Sequence, residues 1–213
     1  MSDEQRMEFF RNAQCKDLSE EALAQTVTGL LKESRIAHVL GCAQTARELA
    51  ELWGADSTDA WRAGMLHDVT KALDESSQLK LCQSYGLQLD DFFRSNPKIL
   101  HQLTGAAVAA HVFGENQAVC EAIRTHTTGC AGMNTLQKII YIADYIEPNR
   151  DFEGVEQLRT LARTNLNLAM QKGLEMTIAM LTRQERPICL DSVAALEEMK
   201  EENKNVKCKT CSL

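Results

Sequence analysis

The chain has 213 residues, 44% of them apolar, with 3 Pro, 11 Gly and a formal net charge of −7. That balance offers no global basic field, which excludes a nucleic-acid polymer as partner, while a metal and a few local cations could still serve a small phosphorylated ligand. No run of about 18 uncharged apolar residues occurs, so a membrane span is excluded on length.

Ala, Leu, Glu, Gln and Met are plentiful, whereas Val, Tyr and Phe never gather into alternating runs, so the fold class is all-α. Residues 1–32 read as one or two helices, with Ser19-Glu20-Glu21-Ala22 resembling a helix start. A helix over 35–53 follows from the spacing of Ile36, Val39, Leu40, Ala43, Ala46, Ala50 and Trp53, and Gly54 ends it. The next, over 58–71, carries Ala63-Gly64-Met65-Leu66-His67-Asp68. Two short helices fill 74–94, and Pro97 opens another running through His111 to Gly114. Residues 116–126 form a further helix, closed by the turn-like Thr127-Thr128-Gly129-Cys130. Asn134 to Ile146 comes next, stopped by Pro148. One long helix is expected over 155–181, and a last one after Asp191.

Eight Cys are scattered through the chain. The N-terminus mixes charged with apolar residues and lacks the continuous apolar core of an export signal, so reduced thiols in a cytoplasmic protein are expected. The close pair Cys208 and Cys211 has no second pair to complete a zinc site and reads as incidental.

Asp144 shares a helix face with Leu136, Ile139, Ile140 and Ala143. Burying an unpaired carboxylate costs several kcal/mol, so it needs a cation, a set of hydrogen bonds or a proton. A metal answers that need, and so does a helix cap or an Arg partner. The adjacent His67 and Asp68 would diverge by about 100° on a helix and reach one ion only if it lay between their directions. Ala63 and Gly64, one turn back, are small enough to admit another helix. His38 looks along a face kept open by Gly41, Cys42 and Thr45. Alone it would be a core histidine bonded to a carbonyl. Together, two imidazoles and two carboxylates form a ligand set that leaves positions for water and substrate.

This His…His-Asp…Asp series resembles the HD phosphohydrolase superfamily. More narrowly, Arg35-Ile36-Ala37-His38-Val39, Ala63 through Lys71, His126-Thr127-Thr128-Gly129 and Tyr141 through Arg150 resemble the bacterial YqeK family of symmetrical bis(5′-nucleosyl)-tetraphosphatases, over about 34–192 in register. The resemblance implies an HD-domain helical bundle over 33–192, with 1–32 as an N-terminal helical extension and 193–213 as a C-terminal helix and flexible tail. It implies attack by metal-bound hydroxide on a central phosphate of a dinucleoside polyphosphate, with diadenosine tetraphosphate yielding two ADP.

The metal would be one or two divalent ions, iron first and manganese second, held by His38, His67, Asp68 and Asp144. His101 and His126 would lie beside the phosphates or help to bind a second ion. Arg35, Arg150 and the segment Pro187-Ile188-Cys189-Leu190-Asp191-Ser192 would contact nucleotide, although that segment departs from the family's His-Pro-Asp-Thr pattern. A homodimer is implied as well. Chemistry gives Asp68 the part of proton acceptor, and it lets Lys71 point its ammonium at a phosphate oxygen. A protonated His126 would donate to the leaving phosphate, while His111, without such company, is structural. Tyr141, Tyr145 and Phe152 are the candidates to stack on a base. The competing readings are another HD nucleotide phosphohydrolase, a non-catalytic nucleotide sensor and a helical interaction module.

Overall fold

In the computed structural model, the backbone is described over residues 1–210 and side chains over 1–205, so the Cys208/Cys211 pair lies outside the described residues. Short polar residues set most helix starts, because their side-chain oxygens accept the N–H groups that a first turn leaves unpaired. Ser2, in a capping box with Gln5, opens α1 (Asp3–Asn12), and Ser19 opens α2 (Glu20–Leu30). The α3 helix (Glu33–Trp53) ends at Gly54, whose φ of 72° is the left-handed turn that glycine adopts most freely. Asp56, Asp74 and Asp90 cap α4 (Ser57–Leu66), α5 (Glu75–Ser84) and α6 (Asp91–Ser95). A 3-10 turn at Pro97–Ile99 leads into α7 (His101–His111). Asn116 opens α8 (Gln117–Thr125), and Asn134, boxed with Gln137, opens α9 (Thr135–Ile146). After these come α10 (Val155–Thr164), α11 (Leu166–Arg183) and α12 (Leu190–Thr210). Among the described residues there is no strand, and no helix is long and apolar enough to cross a membrane.

Two elements differ from the sequence expectation. The helix expected to run to Lys71 stops at Leu66, and residues 67–72 form consecutive turns. Tighter bonds to the third residue back, Val69 N to Leu66 O at 3.1 Å and Lys71 N to Asp68 O at 2.9 Å, replace the α-helical ladder. Asp68 is thereby released from the helical angle to His67. The single helix expected over 155–181 is broken at Asn165, where φ is −158° and the side chain accepts from Leu168 N. Asn is a poor interior helix residue and a strong cap, so α11 begins afresh there and packs back on α9.

Both ends of the chain join one apolar core. Phe10, Leu23, Val27 and Leu30 from the first two helices and Ala195, Leu196 and Met199 from α12 belong to the same cluster as Val39, Ile139, Ile140 and Leu174. The α3 and α4 helices meet through small residues, as the sequence suggested. A methyl group added at Gly64 would lie 2.6 Å from the Ala43 Cα, which is backbone and has no room to give. Gly64→Ala should therefore destabilise the fold by about 1–3 kcal/mol, read as a lower urea midpoint. An unchanged midpoint would mean that the two helices part without penalty.

Candidate metal centre

Four histidines converge where the ends of α4 and α8, the start of α7 and the second turn of α3 meet. His67 sits at the end of α4, and its Nδ1 lies 2.7 Å from Gly64 O. His101 Nδ1 is 2.9 Å from Lys98 O, and His126 Nδ1, at the end of α8, is 2.7 Å from Ile123 O. A carbonyl only accepts, so each Nδ1 carries the proton and donates. Burial pushes His126 down to about 4 and holds His67 and His101 well below their ordinary value. These three rings are neutral near pH 7, and their Nε2 atoms are acceptors.

The lone pairs face inward. His101 Nε2 is 3.2 Å from His126 Nε2, and His38 Nε2 is 3.2 Å from His67 Nε2. His38 is turned the same way, since its Nδ1 donates to Glu147 Oε1 at 3.1 Å. Two facing lone pairs repel at that distance, and a cation between them reverses the sign.

The carboxylates complete the arrangement. Asp68 stands between the two histidine pairs, with Oδ2 3.6 Å from His67 and 3.8 Å from His38, and Oδ1 3.5 Å from His101 and 3.7 Å from His126. Asp144 Oδ1 lies 3.1 Å from His38 Nε2 and 3.9 Å from His67 Nε2. Burial works to raise the Asp144 carboxyl, but the contact with His38 and the charge of Arg150 hold it well below the usual carboxylate range. Ligand atoms close enough to share an ion come from His38, His67 and Asp68, from Asp68, His101 and His126, and from His67, His126 and Asp144. Asp68 Oδ2 is buried without a hydrogen bond of normal geometry, although Arg35 Nη2 is ion-paired to it. This donor set of imidazole nitrogens and carboxylate oxygens suits a divalent metal.

The structure thus gathers His38, His67, Asp68 and Asp144, as the sequence led us to expect, and adds His101 and His126 through Asp68. Lys71 also turns inward. Its Nζ is 2.8 Å from His101 Nε2 and 3.8 Å from Asp68 Oδ1, and although 37% of the side chain stays exposed, partial loss of solvent pushes its pKa down to about 8. Arg150 grips Asp144, with Nη2 2.5 Å from Oδ1 and Nε donating to the main-chain oxygen at 2.7 Å.

Three supporting residues escaped the sequence reading. Glu147, buried, orients His38 and is itself held by Asn149 N at 2.7 Å. The buried Gln102 side-chain oxygen accepts from Thr127 N and Thr128 N, both at 3.2 Å, and so fixes the turn after His126. Thr127 Oγ1 lies 3.1 Å from both His101 Nε2 and His126 Nε2. Glu147 falls one turn after Asp144 in a quoted motif, which was its only signal.

A cleft of ≈ 620 Å³ opens over this centre, with His101, His126, Thr127 and Asp144 on its floor. Phe92, Pro97, Lys98, Arg186, Pro187, Cys189 and Ser192 also line it. Ser192 is also tied into the site, since its Oγ donates to Thr128 O at 2.7 Å. Ile188, Leu190 and Asp191 do not line the cleft, and Leu190 is 83% exposed. Tyr141 is withdrawn as a base-stacking candidate: it is fully buried, with its hydroxyl 2.9 Å from Thr177 Oγ1. Tyr145 stays at the cleft, and Phe152 lines a neighbouring one. His111 is exposed at the far end of α7, stacked on Tyr85 with ring centroids 5.0 Å apart.

Residues 35–149 match the family model described as HD domain. The chain is 40% identical to a protein of Halalkalibacterium halodurans named "Bis(5′-nucleosyl)-tetraphosphatase, symmetrical", over 84% of this chain and 96% of that one. A Bacillus subtilis protein of the same name is also 40% identical, covering 81% of this chain and 92% of its own. Among solved structures, a Clostridium acetobutylicum protein described as a predicted HD superfamily hydrolase involved in NAD metabolism superposes with a TM-score of 0.83. It is 34% identical, over 87% of this chain and 98% of that one.

Two outcomes test this geometry. Glu147→Gln should weaken divalent-metal binding by about 10- to 100-fold, since an outer partner that orients a ligating histidine contributes on that scale. Equilibrium dialysis against iron or manganese reads the change, and an unaltered affinity would remove Glu147 from the site. The second concerns pH. His126 has its folded pKa near 4 against an ordinary 6.5, so on acidification the unfolded chain takes up the proton first. The stability of the metal-free protein is then complete above pH 6.5 and falls as pH drops toward 4, by on the order of 3 kcal/mol from His126 alone. Urea midpoints that stay level across that window would contradict a buried neutral ring.

Proposed function

The chain belongs to the HD domain family, and on that premise we propose that it hydrolyses dinucleoside tetraphosphates symmetrically, diadenosine tetraphosphate giving two ADP. The observation that carries the proposal is Asp68 standing between two pairs of inward-facing imidazole nitrogens. Two groups of ligands sharing one carboxylate support two divalent ions, which we take to be iron, with manganese as the alternative. When bound, the ions supply positive charge against a substrate of about four negative charges and bring a water toward ionisation near neutral pH.

The protein's own groups divide the remaining work. Water oxygen bonds to one central phosphorus, the bridging P–O bond breaks, and the departing oxygen must gain the proton that the water loses. Asp68 is the acceptor within reach of both histidine pairs. His126 is poorly suited to be the donor, because its one N–H is committed to Ile123 O and its Nε2 is an acceptor. We assign the donation to Lys71, whose ammonium is lowered to about 8 and faces the same centre. His101 and His126 then act as ligands of the second ion. Lys98 and Arg186, which both line the cleft, add cations along the phosphates, and Arg35 and Arg150 flank the carboxylates. Pro187, Cys189 and Ser192 form the wall that receives one nucleoside. We place the protein in the cytoplasm, as a homodimer.

Incubation of the iron-loaded protein with diadenosine tetraphosphate should yield ADP alone on anion-exchange chromatography, whereas ATP plus AMP would refute the symmetrical cut. Asp68→Ala should abolish turnover while keeping the helical circular dichroism spectrum, and His111→Ala should leave the rate nearly unchanged. Near-normal turnover by Asp68→Ala would end the assignment of that carboxylate.

A further inference from the structure

One cavity has no task in this chemistry. A second cleft, of ≈ 860 Å³, is lined by Tyr145, Arg150, Phe152, Met176, Met180 and Arg183, among others. It shares Tyr145 and Met180 with the first cleft. Its Arg150 is bonded to Asp144, which lies on the floor of the first. The two clefts are therefore neighbours that share Tyr145 and Met180, and the Arg150–Asp144 ion pair links their linings.

The second cleft has the chemistry of a heterocycle site. Met176, Met180 and Arg183 follow one another at helical spacing on α11, continuing the stripe of Ala169 and Gly173 beyond the buried first half of that helix. Met180 is 37% exposed, an apolar side chain with open space beside it. Phe152 stands edge-on to Tyr145, with ring centroids 6.0 Å apart and planes at 88°. Thioethers and an aromatic ring beside guanidinium groups suit a flat, polarisable base joined to an anionic chain. The volume is that of a small-molecule site.

Symmetrical cleavage puts the reacting phosphorus at the middle of the substrate, with a nucleoside diphosphate half on each side. The first cleft accommodates one half. Resting on the proposed reaction, we infer that the second cleft binds the other nucleoside, with Arg150 at the phosphate step between the clefts and Phe152, Met176 and Arg183 around the base. The protein then selects substrates with a nucleoside at both ends over those with one.

The test compares kcat/KM of the iron-loaded protein for diadenosine tetraphosphate and for adenosine 5′-tetraphosphate, which keeps the phosphates and lacks the second nucleoside. The wild type should prefer the dinucleoside, and Phe152→Ala and Met176→Gln should each cut that preference about tenfold, the scale of one lost stacking face. Phe152 also packs on the core, so Met176→Gln on the open wall carries the test if Phe152→Ala unfolds. A wild type that cleaves both substrates equally, or folded variants with undiminished preference, would overturn the second site and leave symmetrical cleavage standing. A wild type that makes no ADP from diadenosine tetraphosphate overturns both.

Discussion

Imidazole nitrogens 3.2 Å apart, twice over and buried beneath the cleft, impose the condition that everything around them meets. Such pairs need positive charge between them, and a protonated ring is a poor source because burial holds His67, His101 and His126 neutral. Other positive groups bring the charge, and Lys71 Nζ lies 2.8 Å from His101 Nε2. Part of it is provided by Arg35 on Asp68 and Arg150 on Asp144, and the rest of the donor set is shaped for a divalent ion.

Bringing these side chains together requires backbones to approach more closely than ordinary residues allow. Glycines sit at those contacts. A methyl group at Gly41 would lie 2.7 Å from Glu147 Oε2, the carboxylate that orients His38. At Gly105 it would lie 3.2 Å from His67 O. The narrow face beside His38 is thus space reserved for its partner. Against the acidic net charge of the chain, the clefts hold local cations, Lys71, Lys98 and Arg186 in the first and Arg150 and Arg183 in the second, beside the carboxylates Asp74, Glu75, Asp144 and Glu153.

What could be read from sequence was largely what is local. Ser19, Gly54, Asn116 and Asn134 mark helix ends by chemistry confined to a few neighbours, and the structure uses all four as expected. The turn at 67–72 was missed because the bonds that hold it, such as Thr70 Oγ1 to His101 O and Gln78 Nε2 to Thr70 O, come from elsewhere in the fold. Asn165 carried a legible capping signal that an unbroken run of helix formers masked. Tyr141 misled for a different reason: α9 is buried on nearly every side from Leu136 to Ala143, so periodicity gives no inner face to choose. Glu147 acts on a ring 109 residues away, and no spacing rule reaches that far. The resemblance carried His101 and His126 to the right neighbourhood, and the direction of their Nδ1–H bonds suggests what they do there.

His67 and His126 have a second occupation. Each closes a helix by donating to the carbonyl three residues back, at a terminus where such oxygens run short of partners. The ring that secures the last turn is the ring that would grasp the ion. Fraying of α4 or α8 thus withdraws a ligand, and capture of a cation cinches both termini at once. Amide protons in those two turns are consequently gauges of occupancy, exchanging freely when the centre is stripped and slowly when it is loaded.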